Sequence, residues 1–98
     1  MVENSLNRLH ATVEGYVQGV GFRAFVMDQA GRQNLTGWVR NRWDGSVEVV
    51  AEGDKKDLDT LLNALYRGPR SSSVRGVRTE WLPATGEFTG FRVRFTSD

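Results

Sequence analysis

Arg23 is the residue best placed to do chemistry in this sequence. It closes the stretch Gly15-Tyr16-Val17-Gln18-Gly19-Val20-Gly21-Phe22-Arg23, whose glycines run into a helical pattern of Phe22, Phe25, Val26 and Ala30. Glycines let successive backbone N–H groups turn inward, and a helix N-terminus adds the positive end of its dipole. A guanidinium in the first helical turn contributes two parallel donors. The object predicted is a cradle for a dianion, with Gln18, Gly19, Val20, Gly21 and Phe22 supplying amides. A cation beside the positive end of a helix is unfavourable by itself, which also points to a bound anion.

Asn41 is the second candidate. Its amide is no general base, but its carbonyl and N–H groups can hold a water. Whether it reaches the glycine loop depends on the order of strands in the sheet, and the spacing alone permits that contact without requiring it. Other chemistries are poorly supplied. The chain has no cysteine, so disulfides, thiolate metal sites and cysteine nucleophiles are absent together. The single histidine, His10, makes neither a metal cluster nor a triad, and it alternates outward toward solvent. Ser71, Ser72 and Ser73 form a polar turn with no base to activate them.

The elements that must position these residues are legible in order. With 98 residues the chain is one domain, expected over 9–98 after a flexible tail over 1–8. Leu9, Ala11 and Val13 share one face of a strand ending near Tyr16. The first helix runs from Phe22 to about Gln33, with Asn34 in the left-handed conformation that ends it. Leu35, Gly37, Val39 and Asn41 share one face of a second strand, and Trp38, Arg40 and Arg42 the other, exposed one. Asp44-Gly45 marks a hairpin. Val47, Val49 and Ala51 face inward on a third strand, and a one-residue slip would put Val47 and Val49 in water. Asp54 is the expected N-cap of a helix with Leu58, Leu61, Leu62 and Leu65 on its buried stripe. Gly68-Pro69 stops that helix. A fourth strand spans Val74 to Leu82 with a bulge near Gly76, and Phe91, Val93 and Phe95 alternate along a short fifth.

The order β-α-β-β-α-β with a short fifth strand predicts an α+β ferredoxin-like sandwich, an antiparallel sheet with two helices on one face. A net charge of +1 argues against a general polyanion binder. No apolar run approaches the roughly 20 residues needed to cross a bilayer, and no basic and apolar leader opens the chain. A cytoplasmic monomer without membrane or nucleic-acid partners is the expectation.

The glycine stretch resembles the first signature of the acylphosphatase family, and Gly37-Trp38-Val39-Arg40-Asn41-Arg42-Trp43-Asp44-Gly45-Ser46-Val47-Glu48 is similar to its second. The similarity continues through Gly68-Pro69, Val74 and Val77 and covers about Leu9 to Phe95. It implies the same sandwich and hydrolysis of the carboxyl–phosphate bond of small acyl phosphates, without metal or cofactor. Carried residue by residue, Arg23 binds the phosphoryl oxygens, the amides of Gln18 to Phe22 complete the cradle, and Asn41 positions the attacking water. The chemistry suits the missing groups. The leaving carboxylate has a pKa of roughly 4 and departs without a proton, and a loose phosphoryl transfer asks mainly for positioning and charge stabilisation. The alternatives are a non-catalytic phosphate-binding module and an RNA-binding sandwich. The latter would need stacking aromatics on a central strand, and Ser46-Val47-Glu48-Val49-Val50 has none.

Overall fold

The computed structural model describes residues 6–98. Its elements are β1 (Leu6–Tyr16), α1 (Phe22–Arg32), β2 (Thr36–Asn41), β3 (Val47–Asp54), α2 (Lys55–Arg67), β4 (Ser73–Pro83) and β5 (Phe91–Val93). Of the tail expected over 1–8, the first five positions lie outside the described residues. Leu6, Asn7 and Arg8 instead belong to β1 and pair with Asp54, Gly53 and Glu52 of β3.

The sheet order is β4-β1-β3-β2-β5. Strands β1, β2, β3 and β4 pair antiparallel, as expected, but β5 runs parallel to β2, so the whole sheet is mixed. The reason is topological. The chain leaves β4 at one edge, reverses once, and arrives at the opposite edge, where β2 already points the same way. Register falls where the apolar alternation put it: Leu9, Ala11, Val13, Val39, Val47, Val49 and Ala51 are sealed on one face. Phe22, Val26 and Ala30 of α1 and Leu58, Leu61 and Leu65 of α2 complete a single core. Leu62 is only partly buried.

Local signals hold with small corrections. Asn34 adopts φ 56° and closes α1. Asp54 occupies the N-cap position of α2, but its side chain makes no capping hydrogen bond. The β4 irregularity lies at Arg75, beside Gly76: Glu14 opposes Gly76 and Gly15 opposes Val74, leaving Arg75 as the extra residue. Phe95 lies beyond β5 and is 95% exposed, so it does not share an inward face with Phe91.

The sheet face away from the helices is less wet than alternation suggests. Glu48 and Glu52 are each only 5% exposed there. Glu52 accepts hydrogen bonds from Arg8 Nε (2.7 Å), Thr85 N (2.9 Å) and Gly86 N (3.0 Å), so it pins the β4–β5 connection to the end of β3. Arg8 also reaches Glu87 at 2.8 Å. His10, read from the sequence as solvated, lies with Nε2 2.6 Å from Glu48, and Arg40 donates to the same carboxylate at 2.8 Å. Neither Arg40 nor Arg42 is fully exposed as expected, because both guanidiniums turn toward Glu48.

Burial works against both carboxylates. The hydrogen bonds from His10 and Arg40 at Glu48, and those from Thr85, Arg8 and Gly86 at Glu52, outweigh it and hold both pKa values below the ordinary glutamate value. A carboxylate depressed on folding stabilises the fold above its unfolded pKa, about 4.3, and loses that contribution as pH falls through the folded value. Replacing Glu52 by Gln is expected to cost about 1–3 kcal/mol at pH 7, the scale of leaving buried donors poorly matched. Urea unfolding from pH 7 down to pH 3 should show wild type and Glu52→Gln converging below about pH 4; parallel curves would contradict this account of Glu52.

Candidate active site

Between β1 and α1 the chain turns through Gly19 at φ 75° and Gly21 at φ 79°, conformations that side-chain-bearing residues adopt at a cost. Gly21 is the N-cap of α1 and offers no capping side chain. The first regular helical hydrogen bond runs from Phe25 N to Gly21 O at 3.0 Å, so the amides before it are not used by the helix. Among the described residues, the amides of Gln18, Gly19, Val20 and Gly21 also find no backbone acceptor in the turn. Among the described residues these donors have no protein partner, and they stand at the positive end of a helix.

Arg23, the second residue of α1, is partly exposed and makes no ion pair or hydrogen bond among the described residues. Arg23 lines a cavity of about 540 Å³ together with Gly19, Gly21, Phe22 and, across the sheet, Asn41. Val17, Ala24, Met27 and Val93 complete the wall. Arg23 and Asn41 therefore share one cavity, although β3 lies between the strands that precede and carry them. Two facts bring Asn41 there. It is the last residue of β2, at the end of the sheet where β1 feeds the glycine loop, and its register partner is the inward-facing Val47. Its backbone carbonyl also accepts from Ser97 N at 3.1 Å, which ties the segment after β5 to the end of β2.

Gln18 and Val20 sit differently from Gly19 and Gly21. The Gln18 carboxamide donates both its N–H groups, to Arg42 O at 2.7 Å and to Ser46 O at 2.8 Å. It joins the glycine loop to the β2–β3 turn, immediately past Asn41, so the side chain braces the loop. Val20 packs its side chain against the core. The turn is itself fixed: Asp44 accepts from Ser46 N at 2.9 Å and from Ser46 Oγ at 2.6 Å. Those bonds hold the Asp44 carboxyl below its usual range. Met27 and Val93 were not singled out from the sequence, since a partly buried apolar residue on a helix or strand carries no signal of lining a site.

Nothing in the cavity wall is a base or a nucleophile; the wall offers donors, one cation and one carboxamide. Among the described residues no group of three or more His, Asp or Glu side chains could hold a metal ion. The open face of β1 and β3 carries buried carboxylates where a base-stacking surface would need aromatics.

Comparison with known proteins gives a consistent result. The acylphosphatase family model matches residues 9–93. The chain is 47% identical over 88 residues to an acylphosphatase of Pelotomaculum thermopropionicum, covering 90% of this chain and 96% of the relative. It is 52% identical over 86 residues to an acylphosphatase of Pseudomonas paraeruginosa, covering 88% and 93%. The crystal structure of acylphosphatase from Bacillus subtilis superposes with a TM-score of 0.87 at 35% identity, covering 90% of this chain and 98% of that one.

Changing Gln18 to Glu would face two carbonyl oxygens with a carboxylate. It is expected to destabilise the protein by roughly 1–3 kcal/mol at neutral pH, measured as the urea midpoint. A Gln18→Glu variant as stable as wild type would show that the brace carries no weight.

Proposed function

Since the chain belongs to the acylphosphatase family, we propose that Arg23 and the amides from Gln18 to Phe22 hold the phosphoryl group of an acyl phosphate while Asn41 positions the water that attacks it. The reaction is hydrolysis of the carboxyl–phosphate bond to a carboxylate and inorganic phosphate. The observation that supports the division of roles is one cavity lined by Arg23, which has no partner among the described residues, by the uncapped N-terminus of α1 and by Asn41 from another strand.

The steps follow from those groups. Preorganised donors meet the three phosphoryl oxygens where charge is spread in a loose transition state. The Asn41 carbonyl accepts one water proton, which orients a lone pair of the water toward phosphorus. The bond from phosphorus to the acyl oxygen breaks with its electron pair on the leaving carboxylate, which is stable at pH 7 and needs no proton. The water's proton passes to a phosphoryl oxygen of the substrate, because no wall residue is a base. An acyl phosphate dianion and water thus become a carboxylate and dihydrogen phosphate, with charge conserved.

Operation as a monomer in the cytoplasm belongs to the same proposal. The cavity is built from one chain, so no second copy is needed to complete it. A chain without cysteine gains no disulfide from an oxidising compartment. Among the described residues no helix is long and apolar enough to cross a membrane.

Arg23→Ala and Asn41→Ala should each lower kcat for benzoyl phosphate by about 10²–10³-fold with the fold intact by circular dichroism. The two losses should differ in kind. Arg23→Ala should also lose competitive inhibition by inorganic phosphate, while Asn41→Ala should keep it. Turnover by Asn41→Ala within a few-fold of wild type would remove Asn41 from the mechanism.

A further inference from the structure

Beside the cavity holding Arg23 and Asn41 lies a second, a groove of about 710 Å³. The two share Arg23 and Val93, so they adjoin at those residues. The groove is otherwise walled by Arg40, Arg94, Phe95, Thr96 and Ser97. Asn41 lines the first cavity and not the second.

Resting on the functional reading above, we propose that this groove receives the acyl half of the substrate and favours acyl groups carrying a second negative charge. The acyl half of the substrate has to extend from the phosphoryl site into an adjoining space. This groove adjoins the cavity at Arg23 and Val93 and has room for it.

Its electrostatics select the charge. Three arginines and no acidic residue line it, in a chain whose net charge is only +1. Arg40 is partly neutralised by Glu48, with Nε 2.8 Å from the carboxylate. Arg23 is committed to the phosphoryl end. Arg94 has no carboxylate partner among the described residues. Its guanidinium lies 4.7 Å from the Trp38 ring centroid, and that of Arg40 lies 4.8 Å from it, so one aromatic ring fixes both cations. A cation held in place and left without a counter-charge loses little freedom when an anion arrives. The exposed Phe95 ring offers an apolar wall for the carbon skeleton between the two charges.

The test compares benzoyl phosphate with 4-carboxybenzoyl phosphate, which differ by one carboxylate. Wild type is expected to favour the carboxylated substrate in kcat/KM by about fivefold at low salt, the scale of a partly exposed ion pair. The preference should shrink toward unity in 0.5 M salt. Arg94→Gln should abolish it while leaving benzoyl phosphate turnover within twofold, and Arg94→Lys should restore part of it. Equal kcat/KM for the two substrates in wild type, or a preference that survives Arg94→Gln, overturns this inference alone. Absence of turnover on both substrates overturns the functional reading and this one with it.

Discussion

One carboxamide ties the glycine loop to the neighbouring turn. The amides of that loop find no backbone acceptor among the described residues, and Gly19 and Gly21 are exposed, so those donors face solvent. Gln18 makes the tie through its side chain. Its side chain grips the carbonyls of Arg42 and Ser46 on the neighbouring turn and leaves its own backbone free. The span between glycine loop and hairpin is thereby set by two short hydrogen bonds. Asn41, placed one residue before Arg42 by its register with Val47, is held at a set distance from the loop by the same two bonds. Everything proposed about positioning a water against a phosphoryl group rests on that spacing being fixed before substrate arrives.

The opposite face of the sheet serves the same end by other means. Glu48 gathers His10, Arg40 and Arg42, and Glu52 gathers Arg8, Thr85 and Gly86. Buried ion pairs add little net stability when desolvation is counted, so their value here is in direction. Glu52 routes the β4–β5 connection across the end of the sheet toward β2. Alternation along β2 puts Arg40 on the open face and Val39 and Asn41 on the inward one, and Glu48 pairs with Arg40 and Arg42 there.

The sequence made much of this readable, for identifiable reasons. The glycine loop, the inward Val47, Val49 and Ala51, and the left-handed Asn34 depend on local rules, and local rules survive folding. Arg23 stood out because its charge opposes the dipole of its own helix. The meeting of Arg23 with Asn41 was legible only as a possibility, because it has to reach across β3, which lies between β1 and β2. The parallel pairing of β5 and the burial of Glu48 and Glu52 were hidden because all three depend on long-range contacts. Alternation reports which face a residue takes and is blind to partners brought there from distant strands and loops, such as His10 and Arg40 at Glu48 and Thr85 and Gly86 at Glu52. His10 and Arg40 were misjudged as solvated for the same reason. Gln18 illustrates the remaining gap: its type allows bracing or substrate contact, and only the positions of two distant carbonyls decide between them.

The parallel course of the segment after β5 also bears on how the molecule meets its neighbours. Gly37 N bonds to Gly90 O, Arg94 N to Val39 O, Ser97 N to Asn41 O and Trp43 N to Ser97 O. Together with the pairing of β2 and β5, these bonds cover the edge of β2 from Gly37 to Trp43. The strand that carries Asn41 is thereby closed to pairing with a strand of another chain, the usual route by which an exposed edge aggregates.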